Sequence, residues 1–410
     1  MQTHLNAACT RLIFSNLMTA TPSPYSSSKI PFWRDVLVLR VLGQLLFVVV
    51  IGLVSWWIVN NLTSNFKNRN LTFGFDFLHQ PSNVQIDEGL SLTATDSTAK
   101  AFWVGIYNSL RIILVGLVFA TLVGVLAGIS RLSSNWLINK LASIYVESLR
   151  NTPLLLQLSI WYFGIFLTLP RVSESIVWPG PIYISQRGVA IPWPQPTDSF
   201  GQWSSLLMVG LALALIAYFF RRAQLRRADR PGFPSLWALG TFLIATLVSW
   251  LVVPRSITFD LPVPGRFNIQ GGALLSPEFA ALLLGLVLYT GTFIAEIVRA
   301  GIQAVSKGQK EAASALGLTN SQALRLIVIP QALRVIIPPL TSQYLNLAKN
   351  SSLATVVAYR DFYSVASSVS NNTGHSIEVF LILMLGYLSI SLVTSILMNI
   401  YNRRIRLVER

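Results

Sequence analysis

Cysteine and acidic residues are scarce in this chain. Cys9 is the one cysteine among 410 residues, which excludes an intramolecular disulfide and a cysteine-based zinc site. Asp and Glu number 16 against 31 Lys and Arg, and charged residues make up only 11% of the chain, where a soluble domain typically carries about 25%. A formal net charge of +15 would by itself suggest an anionic partner, but so few charges cannot cover a hydrated surface. The composition therefore excludes a disulfide scaffold and a soluble globular enzyme.

The sequence also lacks the motifs of nucleotide binding and catalysis. No Gly-x-x-x-x-Gly-Lys-Ser/Thr phosphate loop occurs, because the glycines of Gly301–Gly308 have the wrong spacing around Lys307. There is no Gly-x-Ser-x-Gly nucleophile elbow and no His-Glu-x-x-His zinc motif. The sequence therefore predicts no enzyme activity, no metal site and no cofactor bound by this chain.

Hydrophobic residues are abundant, at 53% of the chain. A bilayer core about 30 Å thick is crossed by roughly 20 mostly apolar residues in a helix. The charge-free windows are 41–66, 112–130, 151–170, 199–220, 231–254, 279–295, 335–348 and 379–402. The window 335–348 is short and contains Pro338-Pro339, so hydropathy alone leaves a re-entrant segment open there.

The distribution of basic residues decides between a crossing and a re-entrant segment. Cytoplasmic segments of membrane proteins carry an excess of Lys and Arg. With eight spans and a cytoplasmic N-terminus, the inner segments hold 21 basic residues and the outer segments nine. If 335–348 did not cross, the basic cluster Arg403–Arg410 would lie outside. The sequence therefore predicts an all-α polytopic membrane protein with about eight transmembrane helices and both termini in the cytoplasm.

The segments outside the windows differ in composition. Residues 1–36 are predicted to form a disordered cytoplasmic leader, with Met18 as an alternative translation start, because Ser, Thr and Pro dominate part of this region. Residues 37–59 are predicted as the first transmembrane helix, 60–104 as a periplasmic loop and 403–410 as a basic cytoplasmic tail.

Two crossings in the middle of the chain are predicted to form an insertion. Residues 199–254 form a helical hairpin that leaves the topology of everything after it unchanged. Its turn Arg221–Arg230 is rich in arginine, which favours contact with anionic lipid headgroups. A contact with a partner subunit is the alternative. The preceding segment 171–202 is rich in Pro and Trp and is predicted as a rigid outer loop.

The cytoplasmic segment 305–330 carries the most informative pattern. Its first half, Glu311–Gly317, is a small-residue helix that Gly317 can end in a left-handed cap. Asn320-Ser321 can cap a second, amphipathic helix, which Pro330 is predicted to stop. Small residues at the tip permit close approach by a partner. The residues alone leave open an ordinary amphipathic connector on lipid headgroups.

The segment Glu311–Pro330 has the pattern Glu-Ala-Ala, three residues, Gly, nine residues and Ile-x-Ile-Pro. This pattern resembles the signature loop of permease subunits in binding-protein-dependent ABC importers, with Ile329 in place of the commoner Leu. The flanks Thr292–Ile302, Pro330–Arg334 and Lys349–Leu353 are similar to the polar amino-acid branch of that family. Asn108–Arg111 and Arg150–Leu155, near the start of the resemblance, are also similar to that branch. The long outer loop and the extra hairpin resemble the general, acidic and neutral amino-acid subgroup of the branch. The resemblance implies that this loop couples transport to a separate ATPase, through Glu311, Ala312, Ala313, Gly317, Ile327 and Pro330.

The resemblance implies a type I importer core over 105–402, interrupted by the hairpin 199–254. Its helices are expected at about 108–130, 151–170, 279–299, 335–357 and 378–400. The implied complex, in a bacterial inner membrane, has two ATP-binding subunits that use ATP and Mg, a second permease subunit or a copy of this one, and a periplasmic amino-acid-binding protein. The implied function is ATP-driven import of polar L-amino acids. An ion-coupled secondary transporter is the alternative, although such proteins usually carry inverted repeats or acidic residues at mid-membrane.

Polar residues at membrane depth are candidates for a substrate path. Glu296 and Arg299 are three residues apart, so they are expected to pair on one helix face, with a substrate role as the alternative. Lys349 can extend to the membrane interface or meet a substrate carboxylate. The candidate path consists of Asn346, Lys349, Asn350, Ser351, Glu296, Arg299 and Thr152.

Overall fold

The computed structural model describes residues 36–68, 73–228 and 232–405. The predicted leader before residue 36 and the last five residues of the predicted basic tail lie outside these ranges. The first helix, α1 (Val36–Asn68), belongs to a unit of its own. Its described side chains are almost all exposed, as expected for an apolar helix that faces lipid. It extends past residue 59, so the predicted loop at 60–104 begins later than expected.

The second unit, Gly74–Arg410, is built mainly from helices. These are α2 Thr98–Ser130, α3 Trp136–Arg150, α4 Leu154–Ser159, α5 Phe200–Arg227, α6 Pro234–Val252, α7 Pro277–Gln303, α8 Lys307–Ala315, α9 Asn320–Ala323, α10 Ile329–Asn350, α11 Phe362–Thr373 and α12 Ser376–Ile405. A mainly helical fold is confirmed. The helix α12 continues through residues 403–405, where a tail was predicted.

The helices α2 and α7 form the centre of the core. Small residues recur every four positions along α2, at Gly116, Ala120, Gly124 and Gly128. A Cβ added at Gly124 would lie 2.5 Å from the Cβ of Ile294, so the two helix backbones are in close contact. Small residues at this spacing let helices approach closely in membranes, where van der Waals packing replaces the hydrophobic driving force.

Two segments between helices contain β-structure that the sequence did not predict. Within the described part of the chain there are eight short strands, namely β1 Ile176–Trp178, β2 Ile182–Ser185, β3 Gly188–Ile191, β4 Trp193–Pro196, β5 Ile257–Asp260, β6 Val263–Pro264, β7 Ile269–Gln270 and β8 Ala273–Leu275. They pair antiparallel in the orders β1-β2-β3-β8, β4-β5 and β6-β7. Four of these strands, 15 residues in all, lie within the 32 residues of the predicted Pro-rich loop 171–202. Strands of two to four residues are too short to show an alternating pattern.

The hairpin of α5 and α6 corresponds to the predicted insertion. The two helices pack on each other where a Cβ on Gly210 would lie 2.6 Å from that of Ala245. In the described part of the chain, no other helix packs against them to a comparable extent. The rest of their surface is mainly exposed and apolar, which is the composition of a lipid-facing surface.

Among the described residues, seven helices are long and apolar enough to cross a membrane. The third predicted span, 151–170, forms only the shorter apolar helix Leu154–Thr168. Its α4 turn is followed by a π-helical turn and a 3₁₀ turn. At 1.5 Å per residue it is at most about 22 Å long, less than the roughly 30 Å of the hydrocarbon core. The count of eight spans and the side of the termini stay predictions.

The seventh predicted span is much longer than expected. A helical segment runs without interruption from Asn320 to Val357, through α9, a π-helical turn, α10 and a closing 3₁₀ turn. The prediction that Pro330 ends the preceding helix is therefore wrong. The π-helical turn Leu324–Val328 comes just before Pro330, and such a wider turn accommodates a residue that has no N–H to donate.

Candidate functional site

The helix α8 (Lys307–Ala315) presents two different faces. Ala313 is fully buried, and its methyl group anchors α8 on the neighbouring helical turns. Glu311 and Ala312 are exposed on the opposite side. In the described part of the chain, Glu311 has no salt bridge and no hydrogen bond from its side chain. The outer face of α8 therefore offers small side chains and one free carboxylate to a partner.

Gly317 ends this helix as the sequence predicts. Its φ of +74° lies in the left-handed region, which glycine adopts without a steric penalty. The amide of Gly317 donates to the Ser314 carbonyl and the amide of Leu318 donates to the Ala313 carbonyl, the two bonds of a Schellman motif. A Cβ on Gly317 would have no neighbour within 4 Å. Backbone shape, and not packing within the chain, is therefore what requires glycine here.

The second helix of the loop begins one residue earlier than predicted. Thr319, and not Asn320 or Ser321, is the N-cap, and it forms a reciprocal capping box with Gln322. Ile327 is half-buried in the π-helical turn, and Pro330 is exposed at the start of α10.

The two halves of the loop also contact each other. The side-chain amide of Gln331, at the start of α10, donates to the side-chain oxygen of Gln309 on α8 across 3.3 Å. A force on α8 therefore reaches α10 through direct contact.

An ion network links the inner ends of three helices. Glu296 on α7 pairs with Arg299, as predicted, and also accepts from Arg131 at the C-terminal end of α2. Arg131 lies 3.9 Å from the carboxylate of Glu147 on α3. Glu296 and Arg299 are thus satisfied by each other and by Arg131, which favours a structural pair over a substrate contact. Sequence reasoning missed Arg131 because partners on different helices have no fixed spacing.

The remaining candidate path residues are not all brought together. Lys349 is exposed and borders a cavity of about 510 Å³ that Tyr363 and Tyr387 also line. Ser351 is fully buried and donates to the Ala348 carbonyl of its own helix. Asn346 is exposed and Asn350 is half-buried, both near Lys349 in α10.

Thr152 stands apart from this group. It lies at the junction of α3 and α4, where its hydroxyl donates to the Ser148 carbonyl. The neighbouring Gln157, which the sequence did not single out, is buried and donates to the Leu149 and Thr152 carbonyls. Thr152 therefore closes a helix junction.

Two carboxylates outside the spans were also missed, half-buried Glu88 and buried Asp361. Glu88 accepts from Ser276 and lies 3.4 Å from Arg111; burial raises the pKa of this carboxyl despite both partners. Asp361 caps α11 by accepting from the Ser364 amide. Burial raises the pKa of Asp361 to about 7. Neither is within a predicted motif, so only the tertiary structure reveals them.

Across the described residues, no group of three or more His, Cys, Asp or Glu side chains is placed to hold a metal ion.

Residues 210–407 match the family model described as binding-protein-dependent transport system inner membrane component. The chain is 43% identical to the general L-amino acid transport system permease protein AapQ of Rhizobium johnstonii, over 90% of this chain and 92% of that protein. It is 44% identical to the putative amino-acid ABC transporter permease protein YhdX of Escherichia coli, over 90% and 94%. It is 37% identical to the glutamate/glutamine/aspartate/asparagine transport system permease protein BztB of Rhodobacter capsulatus, over 88% and 91%.

Proposed function

The chain belongs to the permease subunits of amino-acid ABC transporters, and from this premise we propose that it carries acidic and neutral polar L-amino acids through a bacterial inner membrane. The substrate class is supported by the names of its relatives, which include a glutamate/glutamine/aspartate/asparagine permease. The proposed complex contains two ATP-binding subunits, a second permease subunit or a copy of this one, and a periplasmic binding protein.

The observation that supports the proposed mechanism is the exposed tip at Gly317. Glu311, Ala312 and Gly317 form a small projection that buried Ala313 anchors, and Ile327 and Pro330 connect it to α10. A cleft on the ATP-binding subunit would receive this tip, because small side chains permit close approach and the Schellman motif fixes its shape. Movement of the ATPase would then rotate α10 within the core, the rocking motion expected of a two-state transporter.

For the substrate path we propose Lys349 as the cation that meets the amino-acid carboxylate. Its side chain borders the cavity of about 510 Å³ near the C-terminal end of α10, with Asn346 and Asn350 in the same helical turn. A lysine ammonium offers three donors to a carboxylate. Glu296, Arg299, Ser351 and Thr152 have structural partners of their own and are proposed to shape the path without binding substrate.

The test is uptake of labelled glutamate and glutamine by vesicles that contain the assembled complex. We expect uptake to require ATP inside the vesicle and the external binding protein. Lys349→Met should raise the half-saturating substrate concentration about tenfold, with Lys349→Arg as the charge-conserving control, in keeping with the loss of one charge-assisted hydrogen bond. Uptake that proceeds without ATP and follows a proton or sodium gradient would contradict the proposal and favour the secondary transporter.

A further inference from the structure

The C-terminal end of α5 carries a basic, open cavity. The cavity has a volume of about 420 Å³ and is lined by Arg221, Gln224, Leu225 and Arg227 of α5 and by Ala228, which follows it. This volume lies within the range of small-ligand sites, roughly 300–1,000 Å³. The structure pairs neither of its two arginines with a carboxylate among the described residues.

Arg221 is held in place from two sides. Its guanidinium donates to the side-chain oxygen of Gln224 across 3.0 Å. It also lies 5.2 Å from the centre of the Trp237 ring on α6, within range of a cation–π interaction. Neither contact neutralises the charge. The result is a preorganised cation, whose donors lose little freedom when an anion binds.

Gly232, just before α6, lies against one side of the site. A Cβ on Gly232 would lie 2.8 Å from the Leu225 side chain, so the chain entering α6 rests directly on Leu225.

Next to the site, the hairpin surface is apolar and uncovered. Phe220 and Phe233 are 63% and 72% exposed, and Trp237 is 59% exposed. Since no other helix of the described chain covers this surface, an occupant of the basic cavity would have its apolar part against α5 and α6.

We infer that this cavity is a headgroup site for an anionic phospholipid of the inner leaflet. Arg221 and Arg227 bind the phosphodiester, whose oxygens accept the paired donors of a guanidinium. The acyl chains lie along the exposed apolar side chains of the hairpin. The occupant is a lipid and not a free phosphate, because the cation site and the apolar surface are continuous, and only a lipid satisfies both.

The chain supplies a matched control for this site. Arg222 and Arg226 are on the same helical turns but do not line the cavity. R222Q/R226Q therefore removes the same charge from the same stretch of α5 without removing a residue that lines the cavity.

The experiment measures how tightly phosphatidylglycerol stays bound to the purified full-length permease, by native mass spectrometry during titration from phosphatidylcholine nanodiscs. Each arginine near an anionic surface contributes about a fivefold effect, so R221Q/R227Q should weaken binding about 30-fold. R222Q/R226Q should change it by less than about threefold. Both variants remove two charges, so an effect on membrane insertion would appear in both.

Three outcomes would overturn the inference. Equal weakening by the two double variants would show that only the total charge matters. If inorganic phosphate bound the permease as tightly as phosphatidylglycerol does, the cavity would be an anion site that does not require a lipid. Loss of the ATP-binding subunit from the complex in R221Q/R227Q, with phosphatidylglycerol binding unchanged, would make the cavity a protein contact instead.

Discussion

Gly317→Asp should uncouple transport without unfolding the permease. The left-handed φ of +74° at Gly317 costs a residue with a Cβ about 1–2 kcal/mol. No atom lies within 4 Å of the position that the new Cβ would take, so the cost is confined to the backbone of the tip. A tip that must adopt this shape to bind would lose a factor of about 5–30 in affinity. The carboxylate adds a desolvation cost if the tip enters a cleft.

The assay is amino-acid uptake by vesicles beside the ATPase activity of the assembled complex. We expect uptake to fall at least about fivefold, while the amount of inserted permease stays constant. Gly317→Ala, which introduces the strain without the charge, should show an intermediate loss.

Gly374 provides the matched control for this prediction. It also ends a helix with a left-handed φ, +75°, and a Cβ there would also have no neighbour within 4 Å. Gly374→Asp therefore introduces the same strain and the same charge at the outer side of the molecule. It should leave uptake within about twofold of the unsubstituted protein, the size of a small surface effect. Normal uptake in Gly317→Asp, or an equal loss in Gly374→Asp, would refute the reasoning.

Three further measurements test the packing and electrostatics. Gly124→Ala should lower the free energy of unfolding of the detergent-solubilised permease by about 1–3 kcal/mol, measured by thermal denaturation. Gly52→Ala is the control and should be neutral, because a Cβ on Gly52 would have no neighbour within 4 Å. Equal effects of the two substitutions would refute the close contact at Gly124. Arg131→Gln should cost about 1 kcal/mol, and charge-conserving Arg131→Lys less. Because the folded pKa of Asp361, about 7, lies above its unfolded value, its contribution to stability is full below about pH 4 and is lost as the pH rises towards 7. Asp361→Asn should flatten that part of the stability profile, and an unchanged profile would exclude Asp361 as its cause.

Periodicity and charge located most of the helices. The windows 199–220 and 231–254 correspond to α5 and α6, because two apolar runs on either side of an arginine cluster admit few other structures. The left-handed cap at Gly317 was also predictable, since small helical residues followed by glycine form a local motif. Element boundaries were less accurate. Hydropathy marks where a helix is apolar, whereas α2 begins at Thr98, well before its apolar stretch.

Other features could not be read from the sequence. Pro330 normally indicates a helix end, and only the π-helical turn before it lets the helix continue. The ion network depends on Arg131, whose partner Glu296 is 165 residues away. Asp361 meets Tyr387 of α12, and Glu88 meets Ser276, 188 residues away. Each of these is a tertiary effect that overrides or lies outside the local pattern.

The uninterrupted helix from Asn320 to Val357 has a mechanical consequence. Its 38 residues form a rod about 57 Å long at 1.5 Å per residue, nearly twice the roughly 30 Å of the hydrocarbon core. If such a rod pivots near its midpoint, a tilt of about 10° moves each end by roughly 5 Å. A displacement of about one helical turn at one end of the helical segment would thus arrive, reversed in direction and undiminished, at its other end.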